Sequence, residues 1–404
     1  MKRIPKITVL ILVLLPLMAY PQNPTRWRGP NQNGYYNETG LLKEWPADGP
    51  EILWQYDKLG EGYSSPAFGN GRIYISGMED QTGYVYALEQ DGTLIWKTPY
   101  GKEWLTSYPG SRGTPVIDED RLFILSGLGR LSCFSANSGQ LLWTKDLFTE
   151  FGGRNSEWGL AETVVIYGEK LICTPGGRIH NMVALNKMNG ELIWTTKAMG
   201  EVSSYCTPLL LKMDGRNLLI AHTAKNIIGV DADNGEFLWN YPHVNIYDIH
   251  PNTPLYHDGQ VFCFSGYGKG GVMLRLNDDG SKVTKMWFCE TMDSRIGGAV
   301  YMDGYLYGSG DKSREWQCID WASGQMRYDS KEIGNGVVIA AEGLLYLYSQ
   351  RGELALVKPG PSSFEIISET RISSGSGQHW AHPVIDNGRL FIRHGNALIA
   401  YKIK

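Results

Sequence analysis

No cysteine precedes Cys133, and the six cysteines at 133, 173, 206, 263, 289 and 318 form no CxxC, no CxxCH and no adjacent pair. Those absences argue against a zinc ribbon, c-type haem attachment and a vicinal disulfide. They also leave no cysteine after the amino-terminal apolar run to carry a lipid. The thiols sit in apolar, strand-like stretches, where free cysteine behaves as a small hydrophobe. A basic excess is missing too: 38 Lys+Arg against 42 Asp+Glu give a formal net charge of -4, with no electrostatic footprint for nucleic acid. The apolar run at the start, Ile7 to Ala19 behind Lys2, Arg3 and Lys6, spans thirteen residues. That is short of the roughly 18 that a transmembrane helix needs, and has the profile of a signal peptide. Residues 1–22 are therefore expected to be a signal peptide and residues 23–404 a soluble protein, periplasmic or secreted, with no membrane span after cleavage. With 42% hydrophobic and 20% charged residues, the chain is globular rather than disordered.

What is abundant is repetition. PVIDEDRLFILSG from Pro115 and PVIDNGRLFIRHG from Pro383 share nine of thirteen positions. Similar pairs of alternating apolar runs around a tight turn recur from Ser65, Thr163, Thr207, Thr253, Ala299 and Ile339, making eight hairpins. The residue after the turn falls at Arg72, Arg121, Lys170, Asn217, Gln260, Tyr305, Leu344 and Arg389, at intervals of 39 to 49, the spacing of propeller blades. Most hairpins are followed by a third run, a glycine and a fourth run ending in an aromatic: Trp96, Trp143, Trp194, Trp239, Trp287 and Tyr328. GPEILWQY, ending at Tyr56, is a fourth strand without the first three, and the final unit stops after its third. The fold expected is all-β: an eight-bladed β-propeller closed by pairing of the N-terminal strand with the C-terminal blade, as one domain over 23–404.

In such a ring, links between blades and loops between second and third strands gather on one face around the axial mouth, where a ligand would sit. Seven of the eight histidines, all but His257, are assigned to that face, along with Arg112, Arg154, Arg178, Lys225, Lys269, Arg295, Lys312, Arg314, Arg351 and Arg393. Arginine forks match carboxylates, and flat rings stack on ligands. The expected binding residues are Tyr63, Arg112, Trp158, Tyr205, Asn252, Arg295, Asp311, Lys312 and Trp380. His250, His379 and His382 are candidate general bases with Glu157 as acid partner. The HxxH of QHWAHP lacks a third ligand at a telling spacing, so no metal site is expected. The guest expected is a small molecule or oligosaccharide that is anionic and carbohydrate-like, with lyase or hydrolase action on acidic glycans as the enzymatic form of that reading.

The units ending in xDxxxGxxxW, with Asp231, Gly235 and Trp239 the fullest case, resemble the pyrroloquinoline-quinone-like (PQQ-like) propeller repeat over about residues 27–404. That family holds quinoprotein alcohol dehydrogenases, the outer-membrane assembly propeller lipoprotein and exported proteins of unassigned role. WRGPNQNGYY from Trp27 and HGNALIAY from His394 look like the last group. Resemblance to the dehydrogenases implies pyrroloquinoline quinone with calcium as cofactor, but their adjacent cysteines and inserted loops are missing here. Resemblance to the assembly lipoprotein implies a protein partner, but its lipid-bearing cysteine is missing. A non-catalytic envelope assembly or interaction scaffold and a quinone-dependent dehydrogenase thus stand as alternatives to the glycan reading.

Overall fold

A computed structural model describes residues 23–155 and 157–404; the expected signal peptide lies outside the described residues. Successive antiparallel sheets follow one another along the chain: residues 67–102, 116–146, 165–196, 209–242, 255–289, 299–330 and 336–371 form blades 1 to 7. Blade 8 is composite. Val384–Asp386, Arg389–His394 and Ala397–Lys402 take Ile52–Tyr56 as their outer strand, with Trp54 opposite Ala400 and Tyr56 opposite Leu398. The chain is an eight-bladed β-propeller, and its two ends share one sheet. No helix among the described residues is long and apolar enough to cross a membrane, and all six cysteines are buried and unpaired.

Local chemistry explains the hairpins. Asp258 and Gly259 join Leu255–His257 to Gln260–Ser265 with φ of 47° and 72°. A two-residue turn with both φ positive matches the twist of the flanking strands, and Asp or Asn followed by Gly adopts it at least cost.

The glycine and tryptophan of the repeat explain each other. Trp54, Trp96, Trp143, Trp194 and Trp287 lie against Gly92, Gly139, Gly190, Gly235 and Gly324 of the next blade, where an added Cβ would fall 2.6–3.0 Å from the ring. The indole N–H of Trp54, Trp143, Trp194, Trp239 and Trp287 donates to a carbonyl of that next blade at 2.9–3.2 Å. Where such a tryptophan is present, the blade buries a large apolar surface against its neighbour, and in five of the six cases the one polar atom that comes with it is satisfied; Trp96 Nε1 is the exception among the described residues.

The segment before the closing strand was not assigned a place by its sequence pattern. It fills the axis. Thr25 exchanges hydrogen bonds with Ile117 on the first strand of blade 2, and Gln32 bonds Pro208 and Leu210 at blade 4. Arg28 donates to Ala299 O of blade 6 at 2.7 Å, Val338 O of blade 7 at 3.4 Å and His382 Nδ1 beside blade 8 at 2.8 Å. Tyr35–Tyr36 then adds a short parallel strand to blade 7, with Tyr35 opposite Ala340. One stretch of a dozen residues therefore reaches blades on all sides of the ring.

The Trp–Gly contact makes a discriminating prediction. Gly235 (φ 78°) has the Trp194 ring 2.6 Å from where a methyl would go, whereas Gly259 (φ 72°) has open space. Gly259→Ala is expected to cost about 1–2 kcal/mol of backbone strain. Gly235→Ala is expected to cost about 2–5 kcal/mol because overpacking adds to it. Urea unfolding of the two variants measures the difference, and equal losses would contradict the packing account.

Candidate functional site

The links between blades meet around the mouth and line a bowl of about 330 Å³. Its walls carry Tyr63, Tyr108, Trp158, Tyr205, Tyr247, Tyr267 and Trp380, with Trp27 of the axial segment also in the lining. On the side of blades 8, 1 and 2, the Trp380 ring lies 5.2 Å from Tyr63 and 4.8 Å from Tyr108, and the Arg112 guanidinium stands 5.7 Å from the Tyr63 ring. On the other side, Tyr247 lies 5.6 Å from Trp158 and 4.7 Å from Tyr267. Trp27 packs 4.7 Å from His382. No aspartate or glutamate is among the lining residues.

These walls are held by an uncommon backbone. Tyr108, Tyr205 and Tyr267 have φ of 53°, 72° and 63°. The left-handed region costs a bulky L-residue about 1–3 kcal/mol, and such residues cluster at ligand clamps. Further bonds hold the rings and the arginines: Trp158 N donates to Tyr205 Oη at 2.6 Å, and Arg112 Nη2 donates to Tyr108 O at 2.8 Å. Arg295 is 3.7 Å from Asp311, whose carboxyl is pushed up to about 6, chiefly by burial.

Of the residues singled out as binding, six line the bowl: Tyr63, Arg112, Trp158, Tyr205, Arg295 and Trp380. Asp311 supports Arg295, accepting from its backbone N–H at 2.7 Å. Asn252 is buried and spans carbonyls of Phe264 and Ser294, and the Lys312 side chain is exposed outside the lining. Trp27, Tyr108, Tyr247 and Tyr267 were not singled out. Three of them sit in links between blades or in loops between second and third strands, which the repeat places on the mouth face, and only Trp27 lacked any positional signal.

The four candidate catalytic residues do not come together. Only His382 lines the bowl, and its two nitrogens are engaged, Nδ1 by Arg28 and Nε2 by Ile296 O at 3.1 Å. His379 bonds Tyr348 Oη and stacks 3.7 Å from His394, which faces the carbonyls of Ser374 and Gly377. His250 lies in a buried cluster with His222 and His243, ring centres 5.1–5.5 Å apart. Glu157 is exposed and outside the lining. Sequence places a histidine in a loop but does not say how deep its ring goes.

The model of the PQQ_2 family, described as outer membrane protein assembly factor BamB, matches residues 81–330, more than half of the chain, and the chain belongs to that family. The assembly factor BamB of Yersinia pestis is 23% identical over 330 residues, covering 76% of this chain and 77% of that protein. BamB of Shewanella oneidensis is 25% identical over 207 residues, covering 50% of this chain and 49% of that protein, so the match spans about half the length of that relative. A quinoprotein ethanol dehydrogenase of Pseudomonas aeruginosa is 26% identical over 38% of this chain and 26% of its own. Among solved structures, BamB from Moraxella catarrhalis superposes with a TM-score of 0.63 at 15% identity, covering 84% of this chain and 94% of that one. Quinohemoprotein alcohol dehydrogenase from Comamonas testosteroni superposes with a TM-score of 0.63 at 10% identity, covering 91% and 78%. The structures share the fold.

The bowl does not fit a quinone held with calcium. Calcium takes about six to eight oxygen ligands with carboxylates among them. The lining offers no carboxylate, and among the described residues no group of three or more His, Cys, Asp or Glu is arranged to hold a metal.

The buried histidines set an acid response. Burial holds His222 well below its ordinary value, His243 at about 2, and His250 and His379 at about 4. They are neutral when folded, whereas the unfolded chain takes up protons near pH 6.5. Their contribution is complete above pH 6.5 and is lost as pH falls towards 4, by up to about 1.4 kcal/mol per pH unit for each. Glu162 and Asp311, raised by burial to about 8 and 6, act in the opposite sense, so the histidine part is read from a variant. Neither ring nitrogen of His222 has a hydrogen-bond partner among the described residues. His222→Leu is therefore expected to leave stability at pH 7.5 unchanged or higher and to flatten its fall between pH 6.5 and 4, as measured by urea unfolding. An unchanged slope would contradict the assignment.

Proposed function

We propose that this family member is a non-catalytic interaction propeller of the cell envelope, working in the periplasm, and that its aromatic bowl grips a segment of a protein partner engaged in outer-membrane assembly. The observation that carries this reading is the composition of the bowl: eight aromatic rings, two arginines and no carboxylate. Large, rigid aromatics and arginine are the residues that dominate protein recognition, because they bury much area at low conformational cost. The single histidine in the lining has both nitrogens occupied and no carboxylate lies beside it in the lining, which weighs against a histidine–carboxylate acid–base pair for lyase or hydrolase chemistry on glycans. The assembly-factor relatives and the family match support the same direction. The dehydrogenase reading lacks the ligands for its cofactor ion, and the acidic-glycan reading has no support from the relatives.

Co-purification from the host envelope tests this. Trp158→Ala is expected to reduce recovery of outer-membrane assembly proteins with the tagged propeller by at least about tenfold, since an aromatic anchor is worth about 2 kcal/mol or more. Its urea midpoint should stay within about 10% of wild type. Undiminished recovery, or dye-linked alcohol oxidation on adding quinone and calcium, would overturn the proposal.

A further inference from the structure

We infer that the wall formed by blades 8, 1 and 2 is a carboxylate subsite, in which Arg112, backed by Tyr63 and Trp380, receives an acidic side chain or chain terminus of the bound segment. The inference rests on the reading of the bowl as a site for a protein segment and adds the chemistry of that segment. Arg112 has no ion pair among the described residues. Its Nη2 meets only the carbonyls of Ser107 and Tyr108, at 3.4 and 2.8 Å, and its Nε has no acceptor. The Trp380 N–H beside it also lacks an acceptor.

The ground behind this wall is cationic as well. Arg393 is wholly buried and donates to the carbonyls of Gly395, Ser64 and Ser76, with Nη2 left over. That nitrogen and the unpartnered Ser111 Oγ both lie against Gly62, next to Tyr63. Arg28 at the axis likewise meets carbonyls and a neutral imidazole rather than a carboxylate. Two guanidiniums, Arg112 and Arg393, therefore stand at or beneath this side of the bowl with no carboxylate in a salt bridge among the described residues; the buried Glu103 carboxyl acts on Arg112 only from a distance.

The opposite side differs. Arg295 has Asp311 beside it and Gln350 at 3.2 Å, and the rest of that wall is Trp158, Tyr247 and Tyr267. A guest that satisfies both sides carries a negative group at the Arg112 end and an apolar or aromatic body at the other. Arginine binds carboxylate through two parallel N–H bonds, which gives direction as well as attraction.

Calorimetric titration of the mature protein with four peptides tests this: acetyl-Phe-Phe acid, acetyl-Phe-Phe amide, acetyl-Phe-Glu-Phe amide and acetyl-Phe-Gln-Phe amide. At least one acidic peptide is expected to bind about tenfold or more tighter than its neutral counterpart, and which one does so distinguishes a chain terminus from a side chain. The preference should shrink as salt rises from about 0.05 to 1 M. Arg112→Gln should reduce it to within about twofold, and Arg112→Lys should restore part of it. Arg295→Gln should leave most of it in place. Binding of all four peptides without discrimination overturns the subsite and leaves the protein-segment reading standing. So does a preference that survives both high salt and Arg112→Gln. Absence of binding by all four overturns both readings.

Discussion

Arg28 puts a guanidinium on the axis of the ring with no carboxylate beside it. Removing such an ion from water is expensive, and the cost is offset only where its donors meet well-placed acceptors. Here the acceptors come from three different blades: Ala299 O, Val338 O and the ring of His382. Displacing any one blade leaves part of the fork unsatisfied, so the arginine ties blades 6, 7 and 8 to the amino-terminal segment. Gly34 belongs to this arrangement, because a Cβ there would lie 2.3 Å from Arg28 Nη2. With the fork fixed, the neighbouring Trp27 ring is fixed against His382, and the axial channel of the propeller becomes a bowl.

The bowl inherits its polarity from this core. Arg393 is buried for structural reasons, hydrogen-bonded to backbone carbonyls, yet its charge is little screened and reaches Tyr63 on the wall where Arg112 stands. The other wall is neutralised by Asp311 and built from rings. A site that is aromatic all round but charged at one end reads orientation as well as shape, which suits recognition of a protein segment better than turnover of a sugar. The chain's relatives and fold neighbours include assembly factors as well as enzymes, since a shared propeller leaves function to the loops.

The legible part of the molecule was the part that repeats. Eight hairpins, five of them joined to a neighbour by a Gly–Trp contact, impose a period on the chain, and the incomplete units at Tyr56 and Lys404 show which strand closes the ring. Mouth residues were legible wherever topology alone decides, as for Tyr63, Arg112 and Trp380 on links between blades. Depth was not. His250 and His379 sit in the same loops as exposed residues, yet their rings point into the protein, and no local pattern distinguishes the two cases. The axial segment was illegible for a different reason. WRGPNQNGYY has neither strand nor helix period, it bends through positive φ at Arg28 and Gln32, and its partners lie up to 354 residues away. Its contacts exist only once the ring is closed.

The most direct test of this account is hydrogen exchange on the wild-type protein and on Arg28→Met. If Arg28 ties the axis to the mouth, wild-type amides at Gln32, Gly34 and Ala340 are protected. In the variant these amides and residues 378–382 lose protection together, while the outer strands Leu192–Thr196 and Phe237–Pro242 keep theirs. Rapid exchange of the 27–36 segment in the wild type, or a variant whose mouth loops exchange as before, would contradict it.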